Sequence, residues 1–293
     1  MERVEVLKTY KIYIGGKFPR TESGRFYSPK ANGKSLGNIC LSSRKDFRNA
    51  VVAARSAFGS WSGATAYNRS QVMYRIAEML EGRKAQFVNE LIQQGSTKAQ
   101  AEKEVIASID RLIYYAGWCD KYTQVFSAVN PVATSHFNFT TPESTGVVSV
   151  IAPEETSLIG LVSVIAPIIA SGSSCVVLAS ESKPLCSVTF AEVLNSSDVP
   201  GGVVNILTGK RTELLKHMAS HMDVNAFLYA NNDSKELLEI EKQSVENLKR
   251  VVVKDLSKPF AEEHENPYYI EDFLEMKTTW HPIEKIGAKG SGY

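Results

Sequence analysis

The sequence has no excess of charge of either sign, no paired cysteines and no long apolar run. Among its 293 residues, 33 Lys and Arg face 32 Asp and Glu, a net charge of +1. That balance leaves no field of one sign to recruit nucleic acid, an anionic membrane or an acidic substrate. The four cysteines, Cys40, Cys119, Cys175 and Cys186, are widely spaced, with no C-x-x-C pair and no zinc spacing. They read as reduced, mostly buried thiols. No stretch approaches the roughly 18 apolar residues that a membrane helix needs. The opening MERVEVLKTYKIYIGG alternates charge with short apolar stretches and lacks the apolar core of a signal peptide. Cytoplasmic placement is the expectation, with neither nucleic acid nor membrane as partner.

What is present is periodicity. Residues 10–14 (YKIYI) alternate as a strand and run into Gly15-Gly16, a hairpin turn before Lys17-Phe18. From Asp46 the period becomes helical, with Phe47, Val51, Ala54 and Phe58 at spacings of three and four, followed by Trp61. A second helix is expected from Arg69, with Val72, Ile76, Met79 and Leu80 on one face, and a third over 102–122. The period then changes. GVVSVIA (146–152), SCVVLA (174–179), VVNIL (203–207), AFLYA (226–230) and RVVVK (250–254) are short, β-branched runs of the kind buried on both faces of a parallel sheet. Helical segments separate them. This alternation predicts an α/β fold, a doubly wound Rossmann-like sheet that binds ligands at the carboxyl ends of its strands.

Several stretches, in the same order, resemble the aldehyde dehydrogenase superfamily: YIGGKF, the AVVAARSAF-x-x-W helix, YYAGW, IAP-x-x-A-x-G, PGGVVNILTG, SHMDV and MKTTWHPI. The resemblance implies a cofactor-type region (1–129 with its edge hairpin, then 143–258) and a small β oligomerisation element (130–142 with 273–283). In that family a catalytic domain carrying the nucleophilic cysteine interrupts the cofactor domain. Here the strand before it ends near Lys258 and the returning element resumes by about Asn266, so residues 259–272, including the acidic 262–265, are expected to be a linker replacing it. Residues 284–293 (EKIGAKGSGY) are expected to form a flexible tail.

The resemblance also implies lost chemistry. Aldehyde oxidation in the family needs a thiolate, and no cysteine here stands in the nucleophile's context. Where the family shows P-W-N-F-P, with an Asn for the oxyanion, the chain reads Pro153-Glu154-Glu155-Thr156-Ser157, and Glu155 would repel developing negative charge. Where the family has a general-base Glu in L-E-L-G-G-K, Lys254 stands. Asp255 is one residue on, on the opposite strand face. The family's ribose-holding lysine is Ala179 in VLASESKP, with Glu181 as a remaining ribose contact, and glycines that admit the dinucleotide correspond to Arg211, Leu215 and Asn231. No cofactor is therefore expected, with NAD or NADP as the alternative through Arg211 and Glu181.

Two other groups carry bland readings. His217 and His221 are four apart with Asp223 nearby, but without an H-E-x-x-H base they read as a solvated helix end, and no metal site is expected. Glu154 and Glu155 read as solvated loop carboxylates. The leading expectation is a pseudoenzyme: a structural or regulatory subunit that assembles, through Lys277, Thr278, Thr279 and Trp280, with itself or with a full-length aldehyde dehydrogenase. The alternatives are a nucleotide or small-ligand binding module and an oxidoreductase active only with a partner chain.

Overall fold

The computed structural model describes residues 8–283; the expected tail at 284–293 lies outside the described residues. A short amino-terminal region contains β1 (Thr9–Tyr10), β2 (Phe26–Tyr27), β3 (Lys30–Ala31), β4 (Lys34–Ser35) and β5 (Asn38–Cys40). Four helices follow: α1 (Arg44–Ser62), α2 (Ala66–Gly82), α3 (Lys84–Gln93) and α4 (Lys98–Ala116), then a single turn α5 (Tyr122–Phe126). Helix starts have local causes. Ser43 and Asp46 form a capping box on α1, Thr97 and Gln100 form one on α4, and Thr65 caps α2. The sequence pattern locates α1 and α2 but misses α3. It also overruns α4, which ends at Gly117 with the chain turning back on itself.

The centre of the molecule is a parallel sheet of β8 (Val147–Ile151), β9 (Ser174–Leu178), β10 (Val204–Leu207), β11 (Ala226–Tyr229) and β12 (Arg250–Val253), in the order β10-β9-β8-β11-β12. The connecting helices are α6 (Ile159–Ala170), α7 (Leu185–Asn195), α8 (Arg211–Ala219) and α9 (Ser234–Ser244). Every residue of β8 to β11 is buried, which is why these strands read as unbroken apolar runs rather than alternating ones. Val148, Val150, Val177 and Ile206 face a core shared with α2, α4, α6 and α7, while Val147, Ile151, Val176 and Leu178 face the core of α1 and α8. All twelve residues of α6 are buried, so this helix is apolar on every side. Its start is capped from afar: Glu104 of α4 accepts the amides of Leu158 and Ile159 at 2.8 and 3.2 Å, a carboxylate at the positive end of a helix.

The opening hairpin is real but minimal, a single antiparallel bridge between Ile14 and Lys17, and Tyr13 pairs with Ile206 to cover the outer edge of β10. Gly15 and Gly16 both have positive φ, and a Cβ on Gly201 would lie 2.8 Å from the Gly15 carbonyl oxygen. Thus YIGG and PGG, nearly 190 residues apart, are two faces of one backbone contact. Asn205 locks it: its Oδ1 accepts from the Gly15 amide (2.9 Å) and its Nδ2 donates to the carbonyls of Cys175 (3.1 Å) and Gly202 (2.7 Å). A buried Asn in an apolar strand is explained by those three bonds.

The strand expected over 130–142 is two strands, β6 (Ala128–Asn130) and β7 (His136–Ser144). Pro131, which has no amide to donate, follows β6. β13 (Leu274–Pro282), following the turn α10 (Tyr268–Glu271), pairs antiparallel with β7 over its whole length, Thr278 opposite Thr140 and Trp280 opposite Asn138. Residues 259–272, the expected linker, form a folded closure. His264 is 2 % exposed, and its ring bridges the Lys258 carbonyl (3.0 Å) and the Tyr269 hydroxyl (3.2 Å). Tyr115 of α4 donates to the His264 carbonyl (3.0 Å), and buried Arg111 to that of Pro259 (3.0 Å).

Candidate functional site

The strand order reverses between β8 and β11, and a crevice at such a switch point is where open parallel sheets bind ligands. Asn231, just beyond β11, spans it, donating from Nδ2 to the Ala152 carbonyl beyond β8 at 3.0 Å. Beside it, Glu154 is not the solvated carboxylate expected from sequence. Its Oε2 accepts the Glu181 amide (3.0 Å) and its Oε1 the Ser182 amide (2.7 Å), so it clamps the β9–α7 loop. A carboxylate taking two backbone amides is a strong local tie, each bond contributing about 1.5–3 kcal/mol. Glu155 is exposed, as expected, and its carbonyl accepts from Lys183 Nζ.

Glu181 and Arg211 do come together. With Glu154, Ser182, Tyr27, Pro29 and Lys30 they line a cleft of about 460 Å³. Arg211, at the start of α8, is engaged by Glu236 (3.6 Å), which also accepts from the Tyr229 hydroxyl (2.6 Å). Glu213 in the same turn holds Arg25 through two contacts of 3.0 Å. The phenol of Tyr27 is buried without a hydrogen-bond partner, and burial with the Glu181 and Glu154 carboxylates pushes its pKa up, so it remains a neutral donor. Ala179 is buried and offers only a methyl group. Leu215 does not enter the cleft: with Leu214 and Met218 it packs in the core between α8 and α1. Tyr27, Lys30 and Glu154 were missed from sequence. For the first two no local signal exists, since their segment reaches the cleft only through the fold.

Lys254 sits just past β12, its ammonium against the Asp272 carboxylate and 3.8 Å from the Tyr269 ring centroid. Both partners belong to the closure that leads into β13. A lysine so placed anchors that closure and offers no lone pair for proton abstraction. Asp255 is exposed and its carboxyl pKa is held down by hydrogen bonds from Ser257, first its amide at 2.9 Å. All four cysteines are buried and unpaired. Burial raises the Cys119 thiol to about 12 and raises Cys175 and Cys186 as well, the reverse of what a nucleophile requires.

The β13-β7-β6 sheet presents large apolar side chains to solvent: Val129, Phe137, Met276 and Trp280, the last 57 % exposed. Lys277 pairs with Glu143 (3.0 Å), Thr278 with the Thr140 hydroxyl (2.9 Å), and Thr279 is half-buried. Asp223, near His217 and His221, is paired with Arg55 at 3.2 Å. Among the described residues no group of three His, Cys, Asp or Glu side chains is placed to hold a metal, and no helix is long and apolar enough to cross a membrane.

The sequence pattern of the aldehyde dehydrogenase family matches residues 19–255. Among curated proteins, DhaS of Bacillus subtilis strain 168, named as an aldehyde dehydrogenase, is 30% identical over 248 residues, covering 82% of this chain and 50% of DhaS. The cytosolic 10-formyltetrahydrofolate dehydrogenase of Mus musculus is 29% identical over 231 residues, covering 76% of this chain and 26% of that protein. The chain thus spans half the length of the one relative and about a quarter of the other. Among solved structures, the NAD+ complex of the aldehyde dehydrogenase from Bacillus cereus superposes with a TM-score of 0.80 at 26% identity, covering 84% of this chain and 50% of that one.

Proposed function

The chain belongs to the aldehyde dehydrogenase family, and from that premise we propose that it is a pseudoenzyme, a non-catalytic structural or regulatory subunit that assembles through its three-stranded sheet. The observation that carries this reading is Lys254. At the position that the resemblance assigns to the general base, the side chain is an ammonium committed to Asp272 and Tyr269. The chain then reaches β13 in the twenty residues from Lys254 to Phe273, too few for an inserted domain. A base replaced by an anchor and four buried thiols, of which burial raises the pKa of Cys119, Cys175 and Cys186, together argue against thiohemiacetal chemistry within this chain.

The same reasoning applies to the cofactor. The Bacillus cereus relative was solved with NAD+. In this chain Asn231 bridges the crevice, Glu154 fills the mouth of the β9–α7 loop, and Arg211 is already met by Glu236. A dinucleotide would have to displace a hydrogen bond, a carboxylate clamp and an ion pair, so these residues do not fit it. A second reading, a small-ligand binding module, is favoured by the 460 Å³ cleft with its unpartnered Tyr27 hydroxyl. Thermal shift with NAD, NADP and ATP separates the two, since a ligand at a hundred times its Kd adds about 2.7 kcal/mol of stability.

Assembly is the function that the exposed sheet serves. β13 is an edge strand with Met276 and Trp280 in solvent, and such an edge aggregates unless a partner covers it. The partner is a second copy or a full-length aldehyde dehydrogenase, in the cytoplasm. The test is native mass measurement of the protein alone and mixed with the full-length enzyme of its own cell, with aldehyde turnover followed in each. A mixed complex with altered turnover supports a regulatory subunit. A monomer in both samples removes the reading, and NAD reduction by this chain alone with an aldehyde overturns the pseudoenzyme.

A further inference from the structure

Outside the cleft and the sheet, the first turns of α1 and the last turn of α8 enclose a pocket of about 300 Å³, lined by Arg44, Phe47 and Arg48 from one side and by His217, Ser220 and His221 from the other. No carboxylate lines it. Among the described residues neither Arg44 nor Arg48 makes an ion pair. The nearby acids are committed elsewhere: Asp46 to the α1 capping box, Glu213 to Arg25 and Asp223 to Arg55. Behind the pocket, Lys249 donates to the His221 carbonyl at 3.0 Å, and burial lowers its pKa to about 8, so its charge also falls between pH 6 and 8. A chain with a net charge of +1 overall therefore concentrates unneutralised cations in one concavity, a local field that attracts anions.

The imidazoles register that field. His217 is pushed toward the neutral form by burial, Arg44 and Lys216. His221 is pushed the same way by burial, Lys249, Arg44 and Arg48, with only Asp223 opposing. Its ring stands edge-on to Phe47 at 5.5 Å, and its Nδ1 accepts the Asp223 amide (3.2 Å), which leaves Nε2 as the nitrogen bearing hydrogen. Two guanidiniums and two imidazole N–H groups around one concavity form a donor set with no acceptor of matching charge.

We propose that this pocket binds a small dianion, a phosphate- or carboxylate-bearing metabolite, between Arg44 and Arg48 of α1 and His217 of α8 with His221 just beyond it. The anion supplies the missing counter-charge and favours protonation of both imidazoles, so binding takes up protons and tightens as pH falls. The test is isothermal titration with inorganic pyrophosphate and, in a separate arm, succinate, at pH 6 and pH 8 and constant ionic strength. Binding is expected to be at least tenfold tighter at pH 6, to be lost in R44Q/R48Q, to persist with a weaker pH dependence in H217Q/H221Q, where Lys249 and the anion still titrate, and to be unchanged in K242Q, whose lysine lies on α9 outside the pocket. The arm that binds tells phosphate from carboxylate chemistry. Failure of both anions at millimolar concentration and pH 6, or equal binding by folded R44Q/R48Q, overturns the proposal.

Discussion

If Lys254 is an anchor, its value is measurable as a coupling energy with Asp272. The two side chains are only 19% and 30% exposed. Exposed pairs contribute about 0.2–1 kcal/mol, and breaking fully buried pairs costs about 3–5 kcal/mol. A partly buried pair is expected to couple by ~1–2 kcal/mol, between those limits. The Tyr269 ring at 3.8 Å adds about 1 kcal/mol as a cation–π contact. Lys254→Met is therefore expected to cost about 2 kcal/mol. Lys254→Glu, which restores the carboxylate implied by the family resemblance, should cost about 3 kcal/mol, because it sets one anion against another. Urea denaturation of wild type, Lys254→Met, Asp272→Asn and the double variant closes the cycle. A coupling near zero together with an undiminished Lys254→Glu protein would refute the anchoring role.

Glu90 tests a buried carboxylate. Burial raises its pKa from the ordinary 4.5 to about 7, opposed by the Thr189 hydroxyl that donates to Oε1 at 2.6 Å. A folded-state pKa above the unfolded one means that the native state holds the proton more tightly. Stability is then full below pH 4.5 and declines as pH rises toward 7, by roughly 3 kcal/mol from this group. Glu90→Gln should flatten that slope between pH 5 and 8, and an unchanged slope in urea titrations counts against it. Asn205→Leu removes three bonds from buried backbone groups and should cost about 3 kcal/mol, visible as a lower urea midpoint with unchanged slope. Trp280→Glu together with Met276→Glu should lower the native mass without lowering the thermal midpoint of the monomer. Retained assembly would place the interface elsewhere.

How much of this was legible beforehand depends on how far each cause reaches along the chain. Four of the five strands, β8 to β11, were readable because burial on both faces leaves an unbroken apolar run, and α1 because its buried face recurs at the helical period; both signals lie within about ten residues. The linker after Lys258 was legible only as polar composition, because AEEHEN does not record that His264 is enclosed by Lys258 and Tyr269 and held by Tyr115. Leu215 was placed in the cofactor cleft by its position in a motif. Which way it faces was decided by the phase of α8 against the sheet.

The sequence by itself determined the α/β alternation and the family, since each is a matter of residue identity and pattern along the chain. The tertiary structure alone decided what those positions now do. It brought Glu154 to the amides of Glu181 and Ser182, Tyr27 to Arg211, Lys254 to Asp272, and Arg44 and Arg48 to His217 and His221. These partners are separated by about twenty to nearly two hundred residues, and no local pattern encodes such a meeting. Their electrostatic environment exists only once chain folding has paid the entropy of bringing them together.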